Sequence, residues 1–101
     1  MIEVRETEHF SQWLNGLRDR QARVRIQLRI DRLQLGNPGD VKPVGDGISE
    51  LRIDYGPGYR VYYAHQGPTR AVLLLGGDKS TQGSDVKKPR NWPAGCREFN
   101  A

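Results

Sequence analysis

The sequence predicts an α+β fold with the element order β-α-α-β-β-β-β. Two observations support this prediction. Between residues 7 and 35 the apolar residues recur at helical spacing, whereas after Gly39 they alternate or run continuously between glycine and proline signals. The 101 residues fit one domain, which we assign to residues 1–86, followed by an irregular tail at 87–101.

A short strand and a helix are predicted first. Ile2–Arg5 has strand character, and Thr7 is a helix N-cap residue followed by Glu8, which is favourable in a first turn. The residues expected to face the core from this helix share one side of it: Phe10, Trp13, Leu14 and Leu17.

The next segment is ambiguous, since strict alternation over residues 22–30 is typical of a strand. We predict a helix, because good helix formers fill it and Gly36–Gly39 supplies a stop signal. Two apolar stripes result, and they suggest a helix wedged between a sheet and a second helix. The stripes are Ala22, Ile26, Ile30 and Leu33, and Val24, Leu28 and Leu35.

Four strands are expected after this helix. Val41–Val44 contains Pro43 and is therefore placed near an edge or a bulge. Strands over Glu50–Tyr55 and Tyr59–Ala64 alternate, and Arg70–Leu75 is apolar enough to be central, with Gly76 and Gly77 ending it. Prolines at 89 and 93 limit the tail to one or two helical turns around residues 81–88.

The two alternating strands predict a hairpin closed by Gly56, Pro57 and Gly58. A three-residue loop would pair Asp54 with Arg60 and Arg52 with Tyr62. It would also leave one solvated face that is either an ordinary surface of paired charges or an anion site. The members of that face are Glu50, Arg52, Asp54, Arg60 and Tyr62.

Composition restricts the class of partner. Sixteen Lys and Arg against 12 Asp and Glu give a net charge of +4, which suits nucleic acid, an acidic protein or a membrane surface. Cys96 is alone, and His9 and His65 have no ligand-spaced neighbours, so neither a disulfide nor a metal site is expected. Without an apolar span or signal peptide core, we expect a soluble, cytoplasmic protein that does not bind membranes.

Three segments together resemble the RelE/ParE superfamily of bacterial toxins, specifically its HigB-like addiction module killer branch. They are RLQLGNPGD at 32–40, KPVGDGISELRIDYGPGYRVYY at 42–63 and LLLGGDKSTQ at 73–82. The resemblance extends over residues 1–86. It implies two N-terminal helices packed on one side of a mainly antiparallel, twisted sheet. Relatives usually continue into a C-terminal helix, and the two prolines in the tail of this chain depart from that pattern.

The resemblance further implies the toxin of a type II toxin–antitoxin system. Its activity would be metal-independent mRNA cleavage, alone or on the ribosome, which inhibits translation and requires no cofactor. Its partners would be a small helix-turn-helix antitoxin and mRNA, with operator DNA contacted only through the antitoxin complex. Two alternatives stay open: a ParE-like inhibitor of DNA gyrase that is not a nuclease, and an inactive relic that only binds antitoxin.

Candidate site residues come partly from this resemblance. The arginines on the family's two central strands are matched by Arg52 and Arg60. The basic motif after the last long strand is matched by Lys79 and Gln82. The face argument adds Tyr62 as an RNA-binding residue, and the tail adds Lys87 and Lys88. Arginines would stabilise the phosphorane. Either Glu50 or Lys79 would accept the proton of the 2′-hydroxyl, and a lysine does so only when neighbouring charge lowers its pKa.

Overall fold

The computed structural model describes residues 1–81. Its element order, β-α-α-β-β-β-β, is the predicted one. The elements are β1 (Glu3–Glu6), α1 (Glu8–Asn15), α2 (Arg20–Gln34), β2 (Val41–Gly45), β3 (Ile48–Ile53), β4 (Tyr59–Gln66) and β5 (Arg70–Asp78), followed by a 3-10 turn at Lys79–Thr81. The predicted boundary at residue 86 and the tail 87–101 lie outside the described residues.

The five strands form one sheet in the order β1-β5-β4-β3-β2. Only β1 and β5 are parallel, and the other three pairs are antiparallel. The apolar strand β5 is an interior strand between β1 and β4, and both of its faces are covered, as its composition predicted. The proline-containing β2 is an edge strand whose register shifts between Pro43 and Gly45, which confirms the edge and bulge prediction.

Helix α1 is joined to the sheet by Thr7, the predicted N-cap. The Thr7 hydroxyl accepts the amide N–H of Phe10 at 3.2 Å and lies 2.9 and 3.0 Å from the carbonyl oxygens of Leu73 and Leu74. The Phe10 side chain is fully buried, and Trp13 packs beside it with ring centroids 5.7 Å apart. One threonine therefore caps the helix and satisfies carbonyl groups of the central strand.

Helix α2 confirms the helical interpretation of the ambiguous segment. Asp19 caps it by accepting the amides of Gln21 and Ala22, and its first apolar stripe is buried against the sheet. The predicted wedging is wrong: Val24, Leu28 and Leu35 are 57, 56 and 69% exposed. Periodicity cannot reveal this, because it shows that a stripe exists but not whether another element covers it.

The hairpin loop is longer than predicted, and the register moves by two residues. Strand β3 ends at Ile53, which pairs with Tyr59, so Asp54 lies in the loop and the predicted Asp54–Arg60 pair does not form. The Tyr55 hydroxyl instead donates to Asp19 at the start of α2, at 3.1 Å. This tertiary hydrogen bond joins the loop to the start of α2, and Tyr55 takes no part in the strand pairing. An even shift preserves the two faces.

Both faces of the sheet carry buried apolar residues. The helices cover one face, where Leu51, Val61 and Leu73 belong to the main core. A second buried cluster lies on the opposite face: Ile48, Tyr62, Ala64, Val72, Leu74 and Leu75, with Val44 packed against it. The expectation of one solvated face is therefore wrong, and the charged residues on that side lie beside apolar ones.

Strand β5 continues through the glycines predicted to end it. A register shift opposite Tyr62 and Tyr63 leaves Leu74 as the extra residue, and pairing then resumes until Asp78 faces Tyr59. Gly76 is required by a close approach, because a Cβ atom there would lie 2.2 Å from Cε3 of Trp13. Glycine thus allows α1 to pack directly on the strand.

Within residues 1–81, neither helix is long and apolar enough to cross a membrane.

Candidate functional site

Strands β3 and β4 bring four of the predicted site residues onto one face of the sheet. Arg52 lies directly opposite Arg60, and Glu50 lies directly opposite Tyr62. Side chains alternate along a strand, so these four share the face that the helices do not cover. We call Glu50, Arg52, Arg60 and Tyr62 the sheet cluster.

Glu50 is the centre of the sheet cluster and is completely buried. Its Oε1 accepts a hydrogen bond from Arg52 Nε at 3.3 Å and lies 3.9 Å from Arg60 Nε, and its Oε2 accepts the Tyr62 hydroxyl at 3.0 Å. A buried carboxylate requires such partners, because losing its hydration is costly. Glu50 therefore orients two guanidinium groups and one phenol.

The two arginines create an excess of positive charge on adjacent strands. Like charges directly opposite one another destabilise a sheet, and the single charge of Glu50 compensates only one of them. The Arg52 side chain is 33% exposed and that of Arg60 is 14% exposed. In the described part of the chain, Arg60 Nε is buried without a hydrogen-bond partner. This arrangement suits an anion that meets both guanidinium groups.

Arg29 of α2 supports the backbone at Arg52. Its Nη1 donates to the carbonyl oxygen of Arg52, and its Nη2 donates to those of Pro38 and Asp40 at 2.8 and 3.1 Å. Burial lowers the pKa of this guanidinium from its ordinary value. Sequence reasoning missed this role, because Arg29 is one of five arginines along the helix and nothing in its spacing separates it from those that are merely solvated.

Lys42 is a second residue that sequence reasoning missed. The β2–β3 register places it directly beside Glu50, so it lies on the same face as the sheet cluster, and it is exposed. Its proximity follows from strand pairing between distant segments, for which the sequence carries no local signal. With Lys42, this part of the sheet holds three cations and one carboxylate.

The other predicted residues are placed less directly. Lys79 begins the 3-10 turn after β5, is exposed and lies beside Gly58 of the hairpin loop. Among residues 1–81, no hydrogen bond or ion pair joins Lys79 to the sheet cluster. Tyr62 is completely buried. Gln82, Lys87 and Lys88 lie outside the described residues.

No group of three metal-ligating side chains occurs within the part of the chain that the structure describes. His65 is exposed on β4 and contacts the Tyr63 ring edge-on, with centroids 5.5 Å apart. The sheet cluster itself offers guanidinium, carboxylate and phenol groups.

Fold and site together define a small basic α+β protein with a cationic sheet face, and comparison with known proteins gives its family. The family model described as "Phage derived protein Gp49-like (DUF891)" matches residues 12–92. An uncharacterized protein of Haemophilus influenzae is 51% identical over 89 residues, which are 88% of this chain and 90% of that protein. The chain belongs to the Gp49-like family, within the RelE/HigB-like group of addiction-module toxins. Membership indicates a toxin with a cognate antitoxin as its partner.

Proposed function

We propose that this toxin is a metal-independent endoribonuclease that cuts mRNA and thereby inhibits translation. The observation that supports the proposal best is the sheet cluster: Arg52 faces Arg60 across two strands, and buried Glu50 holds both. Two guanidinium groups converging from neighbouring strands match the charge of a phosphodiester, and arginine's planar fork can bind two of its oxygens.

The proposed reaction uses the RNA as its own nucleophile. The 2′-oxygen attacks the adjacent phosphorus, the bond from phosphorus to the 5′-oxygen breaks, and a 2′,3′-cyclic phosphate and a 5′-hydroxyl result. Arg52 and Arg60, whose side chains are 33% and 14% exposed, stabilise the extra negative charge of the phosphorane. The 2′-hydroxyl proton passes to a base, and the 5′-oxygen takes up a proton as it leaves.

The structure bears on the choice of base. Both oxygens of Glu50 are already engaged and the residue is buried, which favours a role in positioning the arginines. Lys79 is exposed and therefore accessible to RNA, which favours it as a phosphate contact; exposure does not favour the neutral amine that a proton acceptor requires. Tyr62 acts through Glu50 in this arrangement. In the same proposal, Gln82, Lys87 and Lys88 contact the RNA. Cleavage takes place on the ribosome, and the toxin contacts operator DNA only through the antitoxin complex.

Cleavage of a defined mRNA, with and without translating ribosomes, tests the proposal. Arg52→Gln and Arg60→Gln should each lower the single-turnover rate about 10²–10³-fold, and EDTA should have no effect on cleavage in the assay without ribosomes, which themselves need Mg²⁺. The matched control is Arg5→Gln. Arg5 is also a strand arginine paired with a glutamate, and its side chain is 34% exposed, but it lies on β1. Its removal should leave the rate unchanged.

Intact RNA under both conditions, from folded protein, would overturn the nuclease proposal. Stalled gyrase together with uncut RNA would support the ParE-like alternative. Antitoxin binding with neither activity would support the relic.

A further inference from the structure

The outward side of α2 carries a line of exposed apolar residues. Val24, Leu28 and Leu35 fall within about 40° of one line along the helix, opposite the buried stripe that packs on the sheet. We call these three residues the α2 ridge. More than half of each side chain is exposed, although the helix forms one of the two layers of the domain. No other element within residues 1–81 packs on the ridge.

Two grooves flank the α2 ridge. One of about 340 Å³ separates it from the end of α1, and one of about 280 Å³ separates it from the β3–β4 loop. Leu14 and Val24 contribute apolar wall to the first groove, and Leu28 and Ile53 to the second. A ridge between two grooves offers shape as well as apolar area to a partner, which scattered surface leucines do not.

Arginines line both grooves. Arg20 and Arg23 contribute to the first groove and Arg25 and Arg32 to the second, so positive charge lies on both sides of the ridge. The guanidinium of Arg25 is held over the Tyr55 ring, 4.6 Å from its centroid. The carboxylates nearby are Asp31 on the helix, whose Oδ1 accepts the Gln27 amide at 3.1 Å, and Asp19 and Asp54 at the two margins. The surface stays net positive around an apolar centre.

We propose that the outward side of α2 is the docking surface for an acidic amphipathic segment of the cognate antitoxin. Apolar side chains of that segment cover the α2 ridge, and its carboxylates meet the arginines at the margins. A second copy of this chain fits poorly, because it would bring the same positive charges together. RNA would use the arginines but would leave the apolar ridge exposed.

This inference rests on the family's antitoxin partner and not on RNA cleavage. Its test is a binding measurement between the purified full chain and the protein encoded by the reading frame next to it. The Arg60→Gln variant serves as the background, so that toxicity does not limit expression. Binding is measured by titration calorimetry at two salt concentrations, and circular dichroism checks the fold of each variant.

The double variant Val24→Gln/Leu28→Gln should weaken binding by about 100-fold, because it removes the apolar centre of the contact. Arg32→Gln should weaken binding about 5-fold at low salt and less at high salt, since screening reduces charge pairing. The control Arg5→Gln removes the same charge from β1, where its register opposite Val72 places the side chain on the sheet face that the helices do not cover. It should leave the dissociation constant unchanged.

An unchanged dissociation constant for the double variant would overturn the proposal, and so would failure of the partner protein to bind the parent chain. Concentration-dependent dimerisation that the double variant abolishes would assign the ridge to a second copy instead. Loss of RNA binding in Arg32→Gln, with antitoxin binding intact in all variants, would assign the surface to RNA. Each of these results is independent of whether the toxin cuts RNA.

Discussion

Removing the negative charge at the centre of the sheet cluster is the most informative perturbation of this protein. Glu50→Gln keeps the size of the side chain and a partner for the Tyr62 hydroxyl, but it leaves Arg52 and Arg60 facing each other without a counter-charge. Because Glu50 is completely buried, water cannot replace what the carboxylate supplied. We therefore expect a large loss of stability, although the substitution only replaces one carboxylate oxygen by an amide nitrogen.

The expected magnitude follows from the distances. At an effective dielectric constant of about 20, two unit charges 3.9 Å apart attract by about 4 kcal/mol, which describes the Glu50–Arg60 pair before desolvation. Arg52 is closer at 3.3 Å, but its exposure limits its share to about 1 kcal/mol. Because a glutamine carries no charge, burying it avoids the desolvation cost of the carboxylate, which offsets part of the lost attraction. The net loss in the free energy of unfolding should be about 2–4 kcal/mol, or at least about 10 °C in the melting temperature.

Urea unfolding of the full chain measures this loss, and Glu3→Gln is the matched control. Glu3 also pairs with two arginines, Arg5 at 2.7 Å and Arg70 at 3.0 Å, but nearly half of its side chain is exposed. Solvent screening should therefore leave the stability of Glu3→Gln close to that of the parent.

A double-mutant cycle isolates the coupling between the two charges. Glu50→Gln/Arg60→Gln should lose less stability than the sum of the single variants, because neither charge is then left unpaired. A loss below about 0.5 kcal/mol in Glu50→Gln would refute the reasoning, and so would strict additivity in the cycle.

Three further predictions concern packing, capping and pH. Gly76→Ala should destabilise the fold by about 1–3 kcal/mol, seen as a lower urea midpoint, because the new Cβ would collide with Trp13. An unchanged midpoint would show that α1 moves aside freely. Thr7→Val should cost about 1–3 kcal/mol by removing the hydroxyl that caps α1 and reaches two carbonyl groups of β5, whereas Thr7→Ser, which keeps the hydroxyl, should lose much less. Burial raises the pKa of Tyr63 above its ordinary value of 10.0, so the native state holds this proton more tightly than the unfolded chain. The stability that the protonated Tyr63 contributes is fully present below pH 10.0 and is lost as the pH rises through the native pKa. In urea titrations, the stability of the parent should therefore decline above pH 10.0 more steeply than that of Tyr63→Phe.

Local signals predicted most of the fold. Thr7 is a capping residue whose effect depends on the next three positions, and the good helix formers of α2, with no glycine or proline among them, decided between helix and strand. The apolar run of β5 predicted its interior place in the sheet. All of these depend on neighbours in the chain, and each agrees with the structure.

The candidate site was only partly predictable. Alternation placed Glu50, Arg52, Arg60 and Tyr62 on one face, and an even shift of register cannot change that. The partners within the face were wrong, because β3 ends at Ile53 and Tyr55 contacts Asp19 at the start of α2 instead of pairing across the hairpin. Lys42 and Arg29 reach the site from other elements, and their sequence neighbours do not indicate it.

The sequence by itself determined the order and type of the elements, the two faces of the hairpin and the positive charge of the chain, since these depend on local spacing and composition. Only the tertiary structure decided that Arg52 faces Arg60, that Glu50 between them is buried, and that one stripe of α2 is covered while the other is exposed. The physical reason is that burial and strand register are set by contacts between residues far apart in the chain, where periodicity carries no information.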